Sequence, residues 1–430
     1  MYRSILSVVP LLTGTLLLLM ASGIQSMVMP LRGQWEGFSV DELGWLGTGW
    51  ASGFVVGCLT APQIIGKVGH VRAFAVCAAL NAIIALASSL VVDPFPWLTM
   101  RVVTGFVMAG SFMVIESWLN DKSTNETRGM IFGLYSMITY FGITAGQMSV
   151  AVGTFLGPTL FIITGIIFCL SLLPVSLSTR STPAPPASVS LDLGAIWRNS
   201  PVAAVACFLV GIANGCFGTL GAVYGSQTGM SPTAVAAMMR AAVLAGALIQ
   251  IPVGKISDIT DRRYVLAAAA GGASIAGLLI LILRPQSSYM VFGLVSIYGA
   301  LAYALYSVAV AHANDHAGSG DFVKLSGGLL LLYGIGTIIG PLIGSQAMTI
   351  FGPAGLFAVT AGAQASMAAY AILRSFRRAP VPIGLRALFR STPSERALTP
   401  EAVRLDPRSA ESGNMTSDFT SEPAASVLRK

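Results

Sequence analysis

The order of apolar and polar positions divides the chain into long oily runs separated by short clusters of Gly, Pro and charge. Apolar runs lie at about 5–29, 43–65, 73–92, 97–118, 130–152, 157–178, 201–224, 233–254, 264–283, 289–311, 325–349 and 353–373. Each supplies the roughly 20 mostly apolar residues that a helix needs to cross a bilayer. The pattern therefore predicts 12 transmembrane helices, numbered here as spans 1–12. Turn chemistry marks the breaks at Pro30-Leu31-Arg32-Gly33, Asp93-Pro94-Phe95-Pro96, Gly157-Pro158, Arg284-Pro285 and Gly352-Pro353. A different kind of interruption, rich in Pro, Ala and Ser, falls halfway along at about 180–200 and reads as a linker.

The two halves echo each other. Gly37-Phe38-Ser39 matches Gly229-Met230-Ser231 at an offset of 192, with each serine placed to cap the helix that follows. Further on the offset is 194: Asn120-Asp121 matches Asn314-Asp315, Gly133 matches Gly327, Gly142 matches Gly336 and Gly146 matches Gly340. Gly157-Pro158 matches Gly352-Pro353 at 195. Shared turn chemistry alone accounts poorly for the glycines inside helices. The expected fold class is all-α: a polytopic membrane protein of 12 transmembrane helices in two six-helix pseudo-symmetric bundles. Its expected parts are an N-terminal bundle over 1–179, a cytoplasmic linker over 180–200, a C-terminal bundle over 201–378 and a tail over 379–430. Duplicated six-helix halves are a common way to build a solute site near the membrane midplane.

Composition sharpens this. The 430 residues include 25 Lys and Arg and 18 Asp and Glu, so charged residues are 10% of the chain, against about 25% in soluble domains. That excludes a soluble enzyme, a nucleic-acid binder and a disordered scaffold. With both termini placed inside, the inner loops carry fourteen basic residues and the outer loops only Arg32 and Arg284, a strong positive-inside bias. The tail mixes seven basic and six acidic residues with six prolines and is expected to be a disordered cytoplasmic extension. The five cysteines, Cys58, Cys77, Cys169, Cys207 and Cys216, stand in apolar runs without paired spacing, and neither a disulfide framework nor a zinc site is implied. The first apolar run is too long for a signal peptide's core and reads as span 1.

Between spans 8 and 9 stands Gly254-Lys255-Ile256-Ser257-Asp258-Ile259-Thr260-Asp261-Arg262-Arg263. It resembles the G-x-x-x-D-x-x-G-R-R loop signature of the major facilitator superfamily, with Asp261 in place of the second glycine. The matching N-terminal loop, Pro62 to Arg72, has Gly66 where the acid would stand. Span 4 carries Arg101-x-x-x-Gly105-x-x-x-x-Gly110, similar to a second signature of that family. Glu116-Ser117-Trp118-Leu119-Asn120-Asp121 and His312-Ala313-Asn314-Asp315-His316 resemble the bacterial YcaD-like branch. The resemblance, over roughly 5–375, implies an inner-membrane permease, multi-pass, with both termini cytoplasmic. It further implies an inner-face lock in which Asp258 meets the amides of a neighbouring helix start while Arg262 and Arg263 pair with Asp315. In the N-terminal half Lys67 and Arg72 would be left to meet Glu116 or Asp121. Gly254 belongs to the same gating loop.

Charges at membrane depth default to functional hypotheses. Arg101 lies near the outer end of span 4. Arg240 lies about eight residues into span 8, on the order of 12 Å deep at 1.5 Å per residue, and its repeat partner is Thr48. Arg240 is expected to face the cavity and attract an anionic group, or else to serve as a partner for helix carbonyls or a snorkelling side chain. Glu116 stands where the helix dipole disfavours an acid. It reads either as a proton-coupling carboxylate or as the structural partner of Lys67, Arg72 or Arg128. Gln25 and Asn214, in spans 1 and 7, and Tyr140, Tyr303 and Tyr306 are further candidates to line a cavity. His312 and His316 share an i, i+4 spacing, but with no Cys or third His nearby they read as a turn motif rather than as metal ligands. No phosphate-cradling Gly-Lys-Ser/Thr loop is present.

The reading is a secondary active transporter, not an enzyme, that needs no cofactor. It would move a small solute by alternating access, with an ion gradient (protons) as drive. A small organic anion or metabolite is the expected cargo, the lipid bilayer the surrounding partner, and a monomer the expected state. Broad efflux of apolar compounds is the alternative, and a non-transporting membrane sensor the second.

Overall fold

The computed structural model describes residues 2–124, 127–153, 156–176, 193–316, 322–377, 381–382, 386, 389 and 399–405. Most of the linker, 180–192, lies outside these residues, as does the tail beyond 405. The first bundle comprises α1 (Tyr2–Trp35), α2 (Val40–Val68), α3 (His70–Leu90), α4 (Pro94–Lys122), α5 (Arg128–Val152) and α6 (Thr159–Ser176). A short α7 (Leu193–Asn199) precedes the second bundle, which comprises α8 (Pro201–Gln227), α9 (Pro232–Ile259), α10 (Arg262–Leu283), α11 (Ser288–Asn314), α12 (Phe322–Phe351) and α13 (Gly355–Ser375). A final turn, α14 (Pro400–Leu405), lies within the tail. Among the described residues, twelve helices are long and apolar enough to cross a membrane. Their outer surfaces are oily: Leu248, Ile282 and Ile350 are about three-quarters exposed. In water such faces would be unstable, whereas lipid solvates them.

Most helix starts follow local chemistry. Ser39 and Ser231 cap α2 and α9 with nearly the same backbone angles, and each hydroxyl accepts an N–H three residues on. Ser39 adds a full capping box with Glu42. Asp93 caps α4, with Pro94 at its first position. One expected break does not occur. Pro30 lies inside α1, which runs on to Trp35, because Arg32 and Glu36 form an i, i+4 ion pair at 2.5 Å and the turn falls instead on Gly37. There φ is +85°, and Gly229 repeats it at +81°. Phe38 N–H bonds Gly33 C=O, as Met230 N–H bonds Gly225 C=O. These are the same six-to-one helix endings, and they require a residue that tolerates a left-handed backbone.

The duplication extends to packing. A side chain on Gly146 would strike the Met20 carbonyl, and one on Gly340 would strike the Ile212 carbonyl. Gly23 lies against Ile143, and Gly215 against Thr337. The α1–α5 and α8–α12 crossings are thus one contact made twice, with helix backbones touching where membrane helices favour small residues.

We call the face at which α1 begins and α13 ends the linker face and the other the distal face. At the distal face a single apolar cluster unites the bundles, joining Met27, Val28, Leu31 and Leu46 to Phe217, Leu220, Tyr224 and Met348. At the linker face the bundles keep separate cores, one around Phe74, Phe112 and Trp118 and the other around Val210, Leu305 and Leu329. α7 seals part of this face by burying Ile196 against α12 at Gly328.

Candidate functional site

Between the bundles lies a cavity of about 220 Å³. α1 contributes Gln25 to its wall, α2 Trp50, α4 Arg101 and Phe112, α5 Gln147, α8 Asn214, α11 Tyr303, and α12 Tyr333 and Thr337. Among the described residues, Arg101 is its one cation and the lining holds no carboxylate. The guanidinium lies 5.9 Å over the Trp50 ring and its Nε donates to the Leu46 carbonyl at 3.4 Å. Among the described residues it forms no ion pair. Two buried amide atoms in the same wall, Gln25 Nε2 and Gln147 Oε1, make no hydrogen bond to protein, while the Asn214 side chain stands by the Tyr333 hydroxyl. Buried polar groups are ordinarily satisfied. Arg101 and the side chains of Gln25, Gln147 and Asn214 share the wall with Trp50, Phe112, Met29 and Met239, so the cavity has a polar side and an apolar one.

The sequence candidates divide. Gln25, Asn214, Arg101 and Tyr303 line the cavity. Tyr306 is buried with its ring against Tyr333 at 5.1 Å, and Tyr140 accepts a long hydrogen bond from Gln250 at 3.5 Å, tying α5 to α9. Arg240 is half-buried and absent from the cavity wall. Its neighbours Met239 and Val243 face the cavity instead, since residues adjacent on a helix point about 100° apart. Gln147, Trp50, Tyr333 and Thr337 were not singled out from sequence. Gln147 had a signal, a polar residue directly after the packing glycine Gly146, but nothing local marks the aromatic residues.

At the linker face the C-terminal lock is formed. Arg262, 1% exposed on its side chain, pairs with Asp315 at 2.8 Å and with Asp258 at 3.1 Å. Arg263 departs from the expected role: it pairs with Asp261 at 2.7 Å and donates to the Arg374 carbonyl. The residue that replaces the signature's second glycine thus supplies Arg263 with an acid of its own. Burial raises the Asp261 carboxyl, but hydrogen bonds from the Arg263 side chain and backbone N–H, with its charge, outweigh this and hold it below the ordinary carboxylate value. Asp258 accepts not from a helix start but from the Phe389 N–H of the tail, at 2.9 Å.

No matching N-terminal lock forms from Lys67 and Arg72, which are exposed and make no ion pair among the described residues. Asp121 pairs with adjacent Lys122 at 2.9 Å. Glu116 is fully buried and accepts hydrogen bonds from Tyr135 Oη at 2.6 Å and from the Thr399 hydroxyl of the tail. His312 and His316 meet edge to face at 4.8 Å, with His316 Nδ1 within 3.0 Å of the His312 carbonyl.

The tail itself departs from expectation. Thr399 to Ala402 are buried, α14 packs on α4 and α12, and Phe389 seats its ring on Gly254. A structureless extension does not describe these residues. They dock because Thr399 and Glu401 find hydrogen-bond partners on the bundle.

Two six-helix bundles enclosing a polar crevice, in a chain with twelve apolar spans, define a multi-pass membrane transporter. The sequence model of the Major Facilitator Superfamily matches residues 11–320 and again 203–408, and the chain belongs to that family. It is 27% identical to an MFS-type transporter of Enterobacter sp. (strain 638) over 87% of this chain and 97% of the relative. It is 28% identical to the MFS-type transporter YcaD of Escherichia coli O6:K15:H31 (strain 536 / UPEC) over 82% and 91%. Among solved structures, the nucleoside transporter NupG aligns with a TM-score of 0.72 at 13% identity, covering 86% of this chain and 100% of its own. A bacterial homologue of the lysosomal transporter Spinster, inward-facing and occupied, aligns with a TM-score of 0.68 at 18% identity, covering 90% and 98%. These likenesses establish the fold.

Proposed function

We propose that this chain is a secondary transporter that moves a small organic anion across a bacterial plasma membrane by alternating access, as a monomer with both termini in the cytoplasm. The observation that carries the reading is Arg101. A guanidinium without a protein counter-ion, held at membrane depth beside unsatisfied amides, is costly unless something anionic shares the cavity. A carboxylate would take the guanidinium in charge-assisted hydrogen bonds and draw further donors from Gln25 and Asn214. The cargo's apolar body would lie on Trp50 and Phe112.

The separate linker-side cores and the shared distal cluster support a cycle in which the distal closure opens as the linker side closes. The basic residues of the linker-face loops support a cytoplasmic position for that face. We take protons as the coupling ion. Among the described residues the cavity wall holds no acid, so the coupling group in this reading is Glu116, buried beneath it on the same helix as Arg101.

The test is uptake by the purified protein in liposomes, with and without a pH gradient, over a panel of labelled carboxylates and neutral apolar compounds. Carboxylates should accumulate, and Arg101→Gln should lose that accumulation. Expulsion of apolar compounds with indifference to Arg101→Gln would favour the alternative of broad efflux, for which the Met29, Met239, Trp50 and Phe112 wall is the supporting feature.

A further inference from the structure

The linker-side mouth is occupied by the chain's own tail. Thr399 and Glu401 are 0% and 2% exposed, an unusual fate for polar residues beyond the last span. Polar groups are buried at a cost unless they find partners, and both find them on α4. The Thr399 hydroxyl donates to Glu116, and Asn120 Nδ2 donates to the Glu401 backbone carbonyl at 3.1 Å and to its carboxylate at 3.4 Å. The opposite side of the same turn belongs to the other bundle: Ala402 is part of the C-terminal core cluster, and α14 packs on α12. Pro400 completes an apolar crevice of about 40 Å³ between α2 and α12, lined by Phe54, Cys58, Leu330 and Gly334. Two earlier tail residues add anchors, Phe389 on Gly254 and Asp258, and Arg386 donating to the Thr260 carbonyl at 2.6 Å.

We infer that Thr399–Ala402 is a wedge that the protein inserts between its own two bundles at the linker face, and that must withdraw before that face can close or pass cargo. Bonds to α4 on one side and apolar packing with the C-terminal core on the other hold apart helix ends that, in the proposed cycle, have to meet. The docked tail therefore favours the distal-closed state and restrains turnover. Its seat is specific rather than oily: a threonine reaching a buried carboxylate, and an asparagine that reads both backbone and side chain of Glu401. The consequence for transport rests on the alternating-access reading; the docking itself does not.

Cys58 gives a native reporter, since it shares the crevice with Pro400. In the full-length chain in liposomes, its alkylation by N-ethylmaleimide is followed by mass spectrometry. Thr399→Val, which keeps shape and removes the hydroxyl, and Asn120→Ala should each speed Cys58 modification by about tenfold, the shift expected for losing a buried hydrogen bond that involves a charged group. Cys207 and Cys216, buried inside the second bundle, should stay at the wild-type rate. An unchanged Cys58 overturns the wedge, and so does equal acceleration of all three cysteines, which would mark general loosening. Should either variant fail to fold, Asn120→Cys with Glu401→Cys, joined by a short thiol cross-linker, should slow Cys58 labelling below wild type until the link is reduced. A cross-linked chain labelled at the wild-type rate refutes the inference. No cargo enters these measurements, so their failure is distinct from failure of the uptake assay.

Discussion

Arg101 and Arg240 are the two arginines that the sequence offers as cargo-binding candidates inside spans, and chemistry alone does not rank them. Geometry does: only Arg101 reaches the cavity. Arg101→Gln should weaken binding of a carboxylate cargo roughly 100-fold, about 2.8 kcal/mol at 1.4 kcal/mol per tenfold, whereas Arg240→Gln should leave it within about twofold. Arg101→Lys should fall between them, because an ammonium keeps the charge and loses the planar fork. Gln25→Ala and Asn214→Ala each remove a neutral donor, for which about 1 kcal/mol and a fivefold rise in KM are expected. Cargo-uptake kinetics or isothermal calorimetry check all five. Gln25, Asn214 and Tyr303 were legible as site residues because a polar group in an apolar span is conspicuous. Arg240 misled for the same reason. Depth along a helix can be counted from sequence, but the direction a side chain takes depends on the rotation of that helix against its neighbours.

The spans themselves were readable nearly to their ends. A bilayer forces every backbone group to bond within its own helix, so length and apolar content suffice to find them. The partners of the gating loop were readable only where the repeat placed them, as with Arg262 and Asp315. Glu116 was singled out but its partners were not: the hydroxyls of Tyr135 and Thr399 carry no charge to mark them, and Thr399 lies 283 residues away. The helix contacts carry their own predictions. Gly133→Ala adds a methyl group where nothing lies within 4 Å, and should raise stability by up to about 1 kcal/mol through helix propensity. Gly146→Ala meets the Met20 backbone instead and should destabilise by about 1–3 kcal/mol, as should Gly340→Ala at the repeated crossing. Thermal melting in detergent separates these outcomes. Arg262→Met leaves Asp315, 3% exposed on its side chain, without its guanidinium. A loss of about 3 kcal/mol is expected, the range for breaking a buried ion pair from one side. Equal melting temperatures for Arg262→Met and wild type would reduce the lock to a marker of topology.

Taken as one body, the molecule is asymmetric where its sequence is most symmetric. Duplicated halves would permit equal locks on the linker face, yet among the described residues Lys67 and Arg72 form no counterpart to the Arg262–Asp315 pair, and the tail occupies the N-terminal half's ground at Glu116 and Asn120. Distal closure therefore rests on apolar packing of α1 on α8 and α2 on α12, and transport by the proposed cycle requires this packing to part. Gly44 and Ser345 sit at that seam, where a side-chain carbon on Gly44 would fall 2.7 Å from the Ser345 Cβ. A disulfide prefers about 3.5–4.5 Å between such atoms, a spacing that a slight separation of α2 and α12 supplies. Gly44→Cys with Ser345→Cys should form a disulfide under a mild oxidant, abolish uptake in liposomes and recover it on reduction, while either single variant, lacking the partner thiol, stays active under the same oxidant. Cys216, a free thiol whose sulfur packs against Gly344 beside Ser345, is replaced by alanine in this experiment so that it cannot pair with the introduced cysteines. Full uptake by the oxidised double variant would mean that the distal seam need not open, and rocking of two bundles about a central anion site would have to be abandoned.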